Sequence, residues 1–236
     1  MALVVSWLAG AQPKAPPAPQ SNPGLPRPSV DLRPGTYQYE AKMAVDGQEV
    51  SLNYSTKIQE ENGAWSAIDT IETPAGPATE VATIEKGTLF LRRRTVTQGP
   101  LKLRIDYVNG KAAGSVDQNG QITPIEVDLG GPVFGDGPGG PQVMACLPLA
   151  PGYTASFRQV DVQKQKAKTV ELKVTGSERT TVPAGTFDTY RVEIYSEADA
   201  AGMTMWVARS DRKVVKILAT MPQAGGGVTV TEELLP

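Results

Sequence analysis

The sequence predicts an all-β protein built as a continuous antiparallel meander. Three observations carry that prediction. Apolar and polar residues alternate with a period of two from Gly35 onward. The alternating runs are short and separated by turn signals at hairpin spacing, among them Asn109-Gly110 and Asn119-Gly120. No window shows a 3.6-residue apolar period over three turns, and glycine (24) plus proline (20) are frequent for a helical chain of 236 residues.

The elements follow in order. Tyr37, Tyr39, Ala41, Met43 and Val45 share one face of the first strand, opposite Thr36, Gln38, Glu40 and Lys42. Asp46-Gly47 supplies a type I′ turn, and Val50, Leu52, Tyr54, Thr56 and Ile58 alternate on the return. Glu60 to Gly63 turns the chain into a strand over Trp65–Thr73, closed by Pro74-Ala75-Gly76-Pro77. Strands over Thr79–Ile84 and Thr88–Val96 flank Lys86-Gly87. Leu101, Leu103, Ile105 and Tyr107 alternate next, and Gln121–Leu129 ends the first run. Nine of the twelve residues from Gly130 to Pro141 are Gly or Pro, which predicts an irregular, exposed loop, a natural lid. Gln142–Leu149 is the one run suited to a short helical turn. The remaining strands are expected over Thr154–Val162, Thr169–Thr175, Glu178–Val182, Thr186–Tyr195, Met203–Ala208, Val214–Met221 and Val228–Leu234.

Three segments are expected. Residues 1–11 form an apolar run ending in Ala9-Gly10-Ala11, which fits the small-x-small pattern at the end of a signal peptide. That run is too short to span a bilayer. Residues 12–34 carry eight prolines and read as an extended, removable tether. Residues 35–236 form a single β domain. Leu32-Arg33-Pro34-Gly35 and Leu149-Ala150-Pro151-Gly152 echo one another, and each precedes hairpins and a later Pro-Ala-Gly turn. The echo raises the possibility of two similar halves, 35–129 and 149–236. An exported protein, periplasmic or extracellular, is the expected address.

Composition excludes much chemistry. There is no histidine, which removes Ser-His-Asp and Cys-His systems and His-ligated metal. A single cysteine, Cys146, precludes an intramolecular disulfide and a multi-cysteine metal site, and its apolar neighbours predict a buried, inert thiol. The net charge of −2 offers no field for nucleic acid. Gly135 to Gly140 formally matches G-x-G-x-x-G but lacks the parallel strand and long helix that give the motif its function. No Walker lysine and no G-x-S-x-G elbow occurs. No cofactor is expected. A carboxylate pair such as Asp128 with Asp136 is the remaining route to a hydrolase, although nothing in its spacing selects it.

Glu178-Arg179-Thr180-Thr181-Val182-Pro183-Ala184-Gly185-Thr186-Phe187-Asp188-Thr189-Tyr190-Arg191-Val192-Glu193, then Gly202-Met203-Thr204-Met205-Trp206-Val207 and Asp211-Arg212-Lys213-Val214-Val215-Lys216, resemble the exported bacterial family known as domain of unknown function 3108. More distantly they look like the curled-sheet lipoprotein carriers of the LolA and LolB kind. The resemblance is clearest over residues 149–220. It implies an antiparallel sheet curled into an incomplete barrel with an apolar, lipid-accommodating concave face, and it carries over no functional residue.

The expected function is therefore binding of an apolar ligand, a lipid or acyl chain, or of an envelope component, without catalysis. A structural or protein-interaction module with a filled core is the alternative, and a carboxylate hydrolase the second. The residues expected to line the hollow are Leu52, Tyr54, Leu89, Leu91, Leu103, Ile105, Val192, Ile194, Met203, Met205 and Val215, with Arg93 and Trp206 at the rim. Arg93 is assigned there because strict alternation places it on the face of Leu89 and Leu91, away from Arg92 and Arg94. Lys164, Lys166 and Lys168 read as solubilising charges at a hairpin tip, and Trp65 as packing.

Overall fold

The computed structural model describes residues 25–45, 48–73, 76–162, 164–196, 202–221 and 228–236. Asp46-Gly47, Pro74-Ala75, the run over 1–11 read as the end of a signal peptide, and residues 12–24 of the expected tether lie outside them. Fourteen antiparallel strands form one sheet that is not closed into a barrel. In chain order they are β1 (Gly35–Val45), β2 (Gln48–Glu61), β3 (Ala64–Thr73), β4 (Gly76–Ile84), β5 (Leu91–Gln98), β6 (Leu101–Val108), β7 (Lys111–Gln118) and β8 (Gln121–Asp128). A short helix α1 (Gly140–Ala145) follows. Then come β9 (Thr154–Asp161), β10 (Lys166–Val182), β11 (Gly185–Tyr195), β12 (Gly202–Ala208), β13 (Val214–Met221) and β14 (Val228–Leu234).

Every strand pairs with its neighbour in sequence except β8 with β9, and β14 pairs with β1. The chain thus builds eight strands outward from β1 and six outward from β14, with β8 and β9 as the sheet's edges. Asn62-Gly63, Asn109-Gly110 and Asn119-Gly120 all have positive φ, the geometry of type I′ turns that matches the sheet's twist. The Pro-Ala-Gly echo does not mark equivalent hairpins. Gly76 opens β4, the fourth strand of its half, whereas Gly185 opens β11, the third of its half.

Three corrections concern local geometry. Gly176 does not break a strand: β10 runs unbroken from Lys166 to Val182 with a register shift between Val174 and Gly176. A second shift lies where β4 meets β5, with Thr83 opposite Arg93 but Ile84 opposite Leu91. Arg92 is the extra residue there, so the face changes across it. Leu91 points inward, Arg93 outward and Arg94 inward, the reverse of strict alternation.

The third correction is the largest. Residues 130–141 are not an exposed lid; together with the helical turn that follows they form a plug over 130–149. Leu91 donates its amide to the Val133 carbonyl (2.9 Å), and Phe134 donates to Arg158 of β9 (3.1 Å). The segment therefore bridges β5 and β9 inside the curl. Val133, Phe134, Val143, Met144 and Leu147 are buried in the main core, and Phe134 packs edge-on against Phe157 at 5.3 Å. Gly139 makes this possible. It has φ 65°, and a Cβ there would lie 2.7 Å from the Ala67 Cβ.

The expected tether also ends early. Ser29 donates its amide to the Cys146 carbonyl (2.8 Å), Trp65 Nε1 donates to Asp31 (2.7 Å), and Leu32 is buried in the core. The folded body therefore starts at Ser29 rather than Gly35.

Candidate functional site: the open end of the curl

The plug formed by 130–149 covers only part of the concave face. Inward residues under it are apolar, including Ile58, Trp65, Ala67, Ile84 and Leu91. Beyond it lies a solvent-connected cavity of about 460 Å³. Its floor is Gly137 and Pro138 of the plug, and its walls come from β1 to β5, β13 and β14. Met43, Leu52, Ile71 and Val230 supply apolar surface towards the free end.

A band of polar side chains crosses the same wall obliquely, from Glu232, level with Leu52, to Asp69 and Glu80 nearer the plug. Glu232 faces Ala41 across β14 and β1, Thr56 faces Asp69 across β2 and β3, and Asp69 faces Glu80 across β3 and β4. The Tyr54 hydroxyl donates to Glu232, and the Tyr54 ring stacks on Tyr39 at 5.1 Å. Tyr39 donates to the Val214 carbonyl (2.9 Å) and accepts from Gln142 of the plug (3.2 Å), which ties plug to sheet. Arg94 donates to Glu80 at 2.9 Å.

Burial dominates the electrostatics of this band. It pushes the Asp69 carboxyl up to about 6, against the opposing effect of the Thr56 hydroxyl and the Gly139 amide that donate to it. It raises Glu232 too, with Tyr54 opposing. Asp136, on the plug, is raised by burial and held down in part by the Arg94 charge and the Val160 amide, which donates at 3.0 Å. Asp69 Oδ1 and Arg94 Nε are buried without a hydrogen-bond partner.

Of the expected lining, Leu52 and Tyr54 stand on this cavity. Leu89, Leu91, Ile105, Val192, Ile194 and Met205 are buried in the packed core, with Leu103 and Met203 half-buried against it. Val215 belongs to a smaller cluster with Tyr39, Val182, Ala208 and Leu234. Arg93 lies outside the cavity, ion-paired with Asp106 at 2.5 Å. Trp206 pairs across the sheet with Arg191 and Lys216, donates Nε1 to Glu178 and lies beneath the Lys216 ammonium, also away from the cavity. Asp128 accepts from the Gly130 amide at the end of β8 and shares no partner with Asp136.

The charged members Asp69, Glu80, Arg94 and Glu232 escaped sequence reasoning. A signal was present. Asp69 continues the inward set Trp65, Ala67 and Ile71, Glu80 lies between Ala78 and Ala82, and Glu232 between Val230 and Leu234. A charge at an apolar position of a strand marks a polar site facing inward. Cys146 is buried, and burial pushes its thiol up to about 12, the behaviour of an inert side chain.

Among the described residues there is no cluster of His, Cys, Asp or Glu arranged to hold a metal, and no helix long and apolar enough to cross a membrane. No curated protein matches the sequence. Among solved structures, a Bacteroides fragilis protein described as exported, with a YmcC-like fold, is similar at 11% identity and TM-score 0.35, covering 89% of this chain and 97% of its own. A DUF1329 family protein from Desulfovibrio piger is similar at 9% identity and TM-score 0.30, covering 84% and 82%. Similarity at that level carries no functional argument. The sequence itself is matched over residues 41–231, through both runs of strands, by the family model for the protein of unknown function DUF3108, and the chain belongs to that family.

Proposed function

We propose that this protein is an exported, non-enzymatic binder of a small amphipathic molecule, whose apolar body lies in the open cavity between sheet and plug. The observation that carries the reading is the cavity itself. Its volume of about 460 Å³ falls in the range of ligand sites, and it joins apolar walls to a few converging polar groups. Burying about 300 Å² of apolar ligand surface contributes roughly 7 kcal/mol before the costs of association, which corresponds to micromolar affinity at best. Export is supported by the apolar run ending in Ala9-Gly10-Ala11.

Titration with 1-decanol tests the reading. Saturable binding is expected, and Ile71→Lys, which places a charge on the cavity wall, should abolish it. Equal binding by the folded variant removes the cavity as the site. Mass spectrometry of lipids co-purifying from the native envelope would then identify the natural ligand.

The carboxylate pair Asp69 and Glu80 favours a second reading, a hydrolase. The two face each other across β3 and β4, one raised by burial and the other ion-paired, a division that suits an acid and a base. Hydrolysis of a glycoside or ester panel that disappears in Asp69→Asn would favour it over simple binding.

A further inference from the structure

We infer that the cavity selects amphiphiles with a cationic head, an alkylammonium or its like, over those with a carboxylate head. This rests on the cavity's being a binding site and adds the chemistry of its occupant.

The argument is a charge inventory. Among the described residues lining the cavity, three are carboxylates, Asp69, Glu80 and Glu232, and Arg94 is the single cation. Arg94 is already committed. It donates to Glu80 at 2.9 Å, and the charge of Asp136 on the plug also acts on it, so its charge is balanced within the protein although its Nε has no hydrogen-bond partner. Asp69 and Glu232 thus have no cationic partner. Asp69 is held by the Thr56 hydroxyl and the Gly139 amide, and Glu232 by the Tyr54 hydroxyl. Neutral donors compensate a buried carboxylate only in part, which is why burial raises both groups.

A ligand carboxylate entering this band would meet two unpaired carboxylates and no uncommitted cation. A ligand ammonium would supply the counter-charge that the protein omits. The register also orders the two ends of the ligand. Asp69 lies one pleat nearer the plug than Ile71, and Glu232 stands level with Ala41 and Leu52 beside the path of the chain, so the head goes in towards Asp69 and the chain lies along Met43, Leu52, Ile71 and Val230. In such a partly desolvated site, pairing of unlike charges and repulsion of like ones are strong enough to separate the two head groups clearly.

The test compares decylammonium, 1-decanol and decanoate by calorimetric titration of the whole protein at about pH 7.5, where the amine is charged. Decylammonium should bind at least about tenfold more tightly than decanoate, a difference of about 1.4 kcal/mol. The preference should disappear in the double variant Asp69→Asn/Glu232→Gln while decanol still binds. It should survive in Glu126→Gln, which removes an exposed carboxylate from the edge strand. If the double variant does not fold, Glu232→Gln alone should reduce the preference. Decanol bound with no preference between the charged heads overturns the inference and leaves the binding site standing. A preference unchanged in the folded variants overturns it equally. Failure of all three probes to bind overturns the inference together with the binding site.

Discussion

The two ends of the concave face are built from the same strands and yet are finished differently. At one end the plug fills the curl, and the inward positions are Trp65, Ala67, Ile84 and Leu91, all buried. At the other end the plug stops at Gly137 and Pro138, and beyond them the same strands carry Asp69, Glu80 and Arg94 inward around a cavity. On β3 the change takes one pleat, from Ala67 to Asp69. Charge enters the concave face where packing stops, because an inward charge is tolerable only beside other polar groups or solvent. A filled core and an open cavity are therefore not competing descriptions of this molecule; each describes one end.

That division can be broken most forcefully at the plug. Phe134 is fully buried and touches both Phe90 and Phe157. Phe134→Ala should cost about 3–5 kcal/mol, by lost burial and the cavity left behind. Leu52→Ala, at the open end, should cost under about 1.5 kcal/mol, because Leu52 is only half-buried. Chemical denaturation of both variants checks the contrast, and equal losses would mean that the two ends are packed alike.

The docking of the N-terminal segment belongs to the filled end. Removing residues 1–28 should leave the melting temperature unchanged. Removing residues 1–33 deletes the buried Leu32 and the Asp31 partner of Trp65, at a combined cost of about 3 kcal/mol. Equal melting temperatures for the two truncations would show that the docked segment contributes nothing.

The open end should reveal itself through pH. The folded-state pKa of Asp69 is raised above its unfolded value, so the folded state holds the proton more tightly. The stability this contributes is complete below about pH 4 and is lost as pH rises through about 6. Over that window the loss is on the order of 3 kcal/mol, and the raised Glu232 and Asp136 act in the same direction. Asp69→Asn keeps an acceptor for Thr56 and Gly139 and removes the titration. It should raise the melting temperature at about pH 8 and leave it unchanged near pH 4. A variant that destabilises equally at both would show that Asp69 acts through hydrogen bonding alone.

How much of this was legible follows from the same contrast. Strand order within each run was legible because hairpins join neighbours and Asn-Gly turns announce themselves; the pairing of β1 with β14 was not, because no turn joins them. Parity past Arg92 was not, because a bulge inserts one residue without any required residue type and exchanges the two faces. The plug was misread because glycine and proline signal an exposed loop. Here Gly139 instead permits the chain to touch Ala67, and Val133, Phe134 and Leu147 fill the space between. At the site, alternation located Leu52 and Tyr54. The residues that give the cavity its chemistry were passed over because inward positions were assumed to be apolar.

The smallest effect provides the sharpest test, since it makes one substitution at both ends. Ala67 is fully buried and touches Gly139 of the plug. Ala67→Leu would drive a branched side chain into close-packed backbone, at a cost of about 1–3 kcal/mol. Ala219 lines the cavity and is half-buried. Ala219→Leu adds the same carbons to open space, so its stability should change by less than about 1 kcal/mol, in either direction. Its effect should appear in binding instead. The added side chain occupies volume that the ligand body needs, and affinity for 1-decanol should fall about tenfold or more. Denaturation curves and decanol titrations of the two variants would separate the ends in one experiment. If Ala219→Leu unfolds the protein as readily as Ala67→Leu, the open end is part of the packed core. If it leaves decanol binding intact, the ligand lies elsewhere.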